Sequence, residues 1–218
     1  MSGARVRLAL IVALAFSRAA PASAQRNPTL EISLPPAGQL AQAGPLIVAR
    51  AMLSGTRTRE PLAAGFPARF HFTVTLWSEG GLGHQVERLA EYEILVNYVA
   101  MEKKYQVMQL VNDHSLSLGK FDRVEDAEGA IARPTRAPIR AFSSKRRLYY
   151  RVTLDVEILQ LSDLDEVNRW LKGELEPAIH GRRDPGTALT RSIRMLASRL
   201  LGGETREFEA QTEAFRVP

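Results

Sequence analysis

Alternation of apolar and polar residues is the strongest pattern in this chain, and it predicts strands. Within Ala68–Trp77, the residues Phe70, Phe72, Val74 and Leu76 fall on one parity, and Arg69, His71, Thr73 and Thr75 on the other. Successive side chains of a strand point to opposite faces, so this period marks a half-buried strand. The same period runs through Leu148–Ile158. There Leu148, Tyr150, Val152, Leu154, Val156 and Ile158 alternate with Tyr149, Arg151, Thr153, Asp155 and Glu157. Two apolar-rich stretches, Glu91–Val99 and Lys104–Val111, flank a short polar connection and predict a hairpin of central strands. Shorter patterns predict strands at 30–34, 46–53, 115–121 and from Arg206 onward.

Helical signals are fewer. Thr58–Pro67 reads as a short helix ended by Gly65, with Pro67 barring its continuation. Asp122 is placed to cap a small helix over 122–132. Leu164, Val167, Trp170 and Leu171 follow helical spacing after a capping Ser162 or Asp163, and Gly173 interrupts them. Asp184 and Pro185 then open a second, arginine-rich helix that Gly202 and Gly203 stop. The pattern predicts a mainly β (α+β) fold: an antiparallel β-sandwich or curved sheet of about seven or eight strands with three or four packed helices. The alternative is a helix-plugged barrel around an apolar ligand.

The first residues change the picture of where this domain works. Arg5 and Arg7 precede the apolar run Leu8–Phe16, and Ala22-Ser23-Ala24 supplies a small-x-small cleavage pattern. The run is far shorter than the roughly 20 apolar residues of a membrane-spanning helix. We therefore expect a signal peptide over 1–24 cut after Ala24, a segment or linker over 25–45, and a single β-rich domain over 46–218 in the periplasm or secreted. The chain has no cysteine, so disulfides contribute nothing and burial must hold the fold. Cleavage also removes Arg5, Arg7 and Arg18, lowering the formal charge from +5 to +2. That leaves little support for nucleic-acid binding.

Candidate chemistry adds less. Asp155 and Glu157 share a strand face with Arg151 and Thr153, which reads as the solvated side of a sheet, and Asp163, Asp165 and Glu166 read as first-turn acids of a helix. His71, His84, His114 and His180 stand singly, without metal-ligand spacing. The stretch Glu79–Gln85 resembles a phosphate loop only in its glycines, since Val86 stands where the third glycine belongs. Arg146 occupies the lysine position of an S-x-x-K motif starting at Ser143. No catalytic, cofactor or metal residue is assigned. Leu189, Ile193, Leu196 and Leu200 form an apolar stripe with Arg191, Arg194 and Arg199 mostly away from it. That stripe fits a helix packed on a sheet, or a peripheral contact with a membrane surface.

Four stretches together resemble an exported bacterial family known only as a domain of unknown function. They are Leu62–Trp77 with Gly65 and Pro67, the Tyr-rich hairpin Tyr92–Tyr105, the small helix around Ala127–Ala130, and the strand containing Leu154-Asp155. The resemblance implies export and a β-rich fold, and it carries no activity. The reading is an exported module, leaning away from an enzyme, that binds a protein partner or organises an envelope complex, with Trp77, Tyr149 and the arginine-rich helix as contact surface. Its alternative is a carrier or sensor for a small apolar ligand or lipid, and a hydrolase comes last. No cofactor is expected.

Overall fold

The computed structural model describes residues 27–80, 83–111, 114–159 and 206–217. Among them the fold is mainly β. Strands β1 (Thr29–Ser33), β2 (Leu46–Arg50) and β7 (Thr135–Arg136) form a small antiparallel sheet in the order β1-β2-β7. Strands β3 (Ala68–Gly80), β4 (Gly83–Val99), β5 (Lys104–Val111), β6 (His114–Phe121), β8 (Arg147–Ile158) and β9 (Arg206–Gln211) form a large one. Its order is β6-β5-β4-β3-β8-β9, antiparallel at every junction.

The period of two in β3 sets the core. Ala68, Phe70, Phe72, Val74 and Leu76 are essentially inaccessible, as are Leu148, Tyr150, Val152 and Leu154 of the neighbouring β8. Phe72 faces Tyr92 across the β3–β4 ladder, and their rings stack at 4.5 Å and 5°. Each such apolar side chain contributes about 1.5–3 kcal/mol on burial. Ile47 and Ala49 of β2 join the same core from the small sheet, and Leu30 and Ile32 of β1 pack against it. Thus β1, in the stretch expected as an N-terminal segment, pairs with β2 along all five residues.

Among the described residues two α-helices pack against these sheets. Helix α1 (Thr56–Ala63) ends at Ala64, and Gly65 takes φ +95°, a left-handed conformation that only glycine adopts cheaply. Helix α2 (Val124–Ile131) buries Val124, Ala127, Ala130 and Ile131. Asp122 does not cap it as expected. Arg123 holds the N-cap position without a side-chain hydrogen bond, and Asp122 pairs with Lys104 at 3.5 Å instead. The strand expected over 46–53 stops at Arg50, because Ala51 turns to φ +59°. Of the three or four helices expected, the two placed after Leu161 lie outside the described residues, as does the expected signal peptide over 1–24. No helix among the described residues is long and apolar enough to cross a membrane.

Glu128 explains how the turn after β2 holds its strained residue. The Met52 and Leu53 amides donate to its carboxylate at 3.1 and 2.5 Å, and Ser54 closes the turn onto the Ala51 carbonyl. Burial keeps the Glu128 carboxyl above its ordinary range, although the Leu53, Met52 and Ala51 N–H groups favour its anion. Removing the carboxylate strands these amides in a part-buried site. Glu128→Ala should therefore lower the unfolding free energy by about 2 kcal/mol, measured by urea denaturation.

Candidate functional site

The outer face of the large sheet gathers the polar residues of the sequence pattern, and the ladder registers place them in rows. Glu93, His71, Asp155 and Glu207 face one another across β4, β3, β8 and β9. The adjacent row holds Leu95, Arg69 and Glu157, and the row on the other side holds Glu91, Thr73, Thr153 and Glu209. These residues were expected on the solvated side of a sheet. They are on that side, yet β3 and β8 hold them only half-exposed, because both strands are interior. Arg69 pairs with Glu157 at 2.5 Å, and Arg151 with Glu209 at 3.1 Å.

His71 sits at the centre, its side chain 17% exposed. Its Nδ1 lies 3.0 Å from Glu93 Oε1, and Thr73 Oγ1 lies 3.3 Å from its Nε2, with Glu91 at 4.0 Å from the same nitrogen. Burial opposes the imidazolium and Arg69 adds a smaller opposing charge. The hydrogen bond to Glu93 and the charges of Glu93 and Glu91 outweigh both, so the pKa rises above 6.5. Both ring nitrogens then donate, one to Glu93 and one to Thr73.

Hydroxyl, imidazole and carboxylate in this order have the connectivity of a proton relay. What an acyl-transfer site needs besides is a pair of free N–H donors for an oxyanion. Here β3 is laddered to β4 and β8 through this whole region, which commits its amides to the sheet. An imidazole favoured as the cation is also a poor general base. The arrangement is a cross-strand charge clamp.

At the far end of the same face lies an aromatic group. The rings of Trp77 and Tyr149 stack at 6.3 Å, the Arg151 guanidinium lies 5.5 Å from the Trp77 ring, and Tyr149 Oη is 3.2 Å from His84 Nδ1. Tyr149, expected as exposed contact surface, is only 7% exposed because Trp77 and His84 pack around it. The apolar surface comes instead from two neighbours on β4, Val86 at 50% and Leu89 at 57% exposure. A bulge after Leu76 makes this possible by leaving Glu87 out of the ladder, where it accepts a 2.6 Å hydrogen bond from the buried Ser78 hydroxyl.

Sequence reasoning placed His71 on the polar parity but missed its partners. The available signal was that Glu91 and Glu93 share a parity in a strand that pairs with His71, which becomes readable only once the register is known. His84 joins Tyr149, His114 opens β6, and His180 lies outside the described residues. No group of three metal-ligating side chains occurs among the described residues. Comparison of the chain with protein-family models, curated proteins and solved structures returns no match.

The charge clamp has a defined pH dependence. A raised folded pKa means that the stabilisation from His71 is complete below about 6.5 and is lost as pH rises through the folded value. His71→Gln should therefore cost roughly 1 kcal/mol in acid and progressively less towards alkaline pH, measured as the difference in urea unfolding between the two proteins.

Proposed function

We propose that this chain is an exported, non-catalytic binding module of the bacterial envelope, built as a β-sandwich and engaging a protein partner through the outer face of its large sheet. The observation that carries this reading is the apolar and aromatic end of that face. Val86 and Leu89 expose large apolar side chains beside the Trp77–Tyr149 stack, with Arg151 above the indole. Aromatic side chains and arginine are the residue types that dominate protein–protein contact energies. Trp77 is laddered on both sides, to Val86 of β4 and Tyr149 of β8, so the centre of this surface is held in place when a partner docks.

The leader over 1–24 and the resemblance to an exported family support an envelope location. A carrier of apolar ligands finds less support. The inner face of β3 is filled by its own side chains. A cleft of about 190 Å³ near α1 is lined partly by Arg57 and Arg206, and a larger one of about 440 Å³ beside α2 is lined mostly by charged side chains such as Lys120, Asp122, Glu125 and Arg133, which suit an apolar ligand poorly.

A photo-crosslinking residue at Leu89, in protein exported by its own leader, should give a discrete adduct. The same residue at the exposed Met101 should not, and Trp77→Ala should abolish the Leu89 adduct. Identical adducts from both positions, or none from Leu89, would count against this surface.

A further inference from the structure

We propose that the open edge of β4 over 83–92 pairs with the same edge of a second copy of the chain, about a two-fold axis between Glu87 and Arg88. Such pairing makes the second copy the partner of the apolar end of the outer face, and it rests on reading that end as a protein contact.

Strand β4 is longer than its neighbour on one side. It runs along β3 from Gly83 to Val96, whereas β5 pairs only with Glu93–Val99. Among the described residues, nothing is laddered to the second edge of Gly83–Tyr92. Every second residue of a strand turns its N–H and C=O away from a given neighbour, so this edge offers a row of donors and acceptors. Side chains along it are exposed on both faces: His84, Val86 and Leu89 on the outer, Gln85 and Arg88 on the inner. The loop after β7 approaches from the inner side. There the Arg88 guanidinium donates to the Arg140 carbonyl at 3.0 Å and lies 5.0 Å from the Phe142 ring.

The bulge decides which partner fits. A bulge protects an edge because a regular strand laid along it loses facial parity beyond the inserted residue. Here the insertion is Glu87, so Val86 and Leu89 share the outer face although they are three residues apart, and Glu87 and Arg88 share the inner one. A second copy carries the same insertion. Set antiparallel about the midpoint of Glu87 and Arg88, every residue of 83–92 meets one on its own face. Val86 of one copy meets Leu89 of the other, Glu87 meets Arg88, and His84 meets Glu91. The exposed apolar side chains cover each other twice, two opposite-charge pairs stand at the centre, and no like charges meet. A slip of one residue either way sets Arg88 against Arg88 or Glu87 against Glu87, which like-charge repulsion disfavours. The paired edges join the two large sheets into one, with a Trp77–Tyr149 stack on either side of the axis.

The chain has no cysteine, so introduced thiols report the register directly. Oxidising a mixture of Val86→Cys and Leu89→Cys chains should give the mixed disulfide dimer about tenfold faster than either chain couples to itself, because like thiols would stand about 10 Å apart. Sedimentation of the unsubstituted full chain should show a monomer–dimer equilibrium with a Kd below about 100 μM. Arg88→Glu should weaken it about tenfold or more, and adding Glu87→Lys should restore it. The disulfides and the unsubstituted chain decide the matter if the charge-reversed variants do not fold. The photo-adduct at Leu89 should have the mass of two chains. A chain that stays monomeric, or like thiols that couple as fast as the mixed pair, overturns the proposal. A Leu89 adduct with a foreign protein on a monomeric chain overturns it and leaves the binding reading standing, whereas the absence of any Leu89 adduct removes both.

Discussion

Strand β3 is hydrogen-bonded on both edges, to β4 along its thirteen residues and to β8 along most of them. A slip of one residue would turn Phe70, Phe72, Val74 and Leu76 towards the outer face and drive Arg69 and His71 into the core. The apolar set alone is worth several kcal/mol, so this register is stringently held. Everything on the two faces inherits it. The inner face receives β2, α1 and α2 because it is continuous and apolar. The outer face acquires ordered rows of charge because parity leaves no other place for them.

The two long alternating strands and the hairpin were legible because their signal is local, and a period of two needs no knowledge of neighbours. Gly65 was legible for the same reason, since a helix stop followed by proline is written in four residues. The misses were long-range. Asp122 has the right chemistry for a cap, but Lys104 of a different strand competes for it. Ala51 ends β2 early because Glu128, seventy-six positions beyond Met52, accepts the amides of the turn. The His71 clamp was hidden by the same gap, since Glu93 becomes its neighbour only through a register fixed by the apolar residues of the opposite face.

That dependence explains why the outer face divides into two regions. Towards Arg69 and Glu157 the rows set carboxylates of neighbouring strands side by side, where like charges repel. His71 relieves part of this by bridging Glu93 and Glu91, and Arg69 relieves another part. Towards Trp77 the bulge at Glu87 interrupts the ladder, and Trp77, Tyr149, Val86 and Leu89 stand between Arg151 and the Glu79–Arg147 pair. A single insertion in β4 therefore marks where an apolar and aromatic group enters the charged face.

The two regions differ in what they can recognise. A charged surface in water gives modest, salt-sensitive energy. An aromatic and aliphatic patch yields energy that survives salt, which a free partner needs to offset its lost translational and rotational freedom. Acyl transfer through a backbone oxyanion hole asks for N–H donors aimed at a reacting atom. In the interior of a continuous antiparallel sheet those donors are committed to the ladder. The pairing that fixes the register of β3 thus also keeps its amides in the ladder and leaves only side chains to act on the outer face.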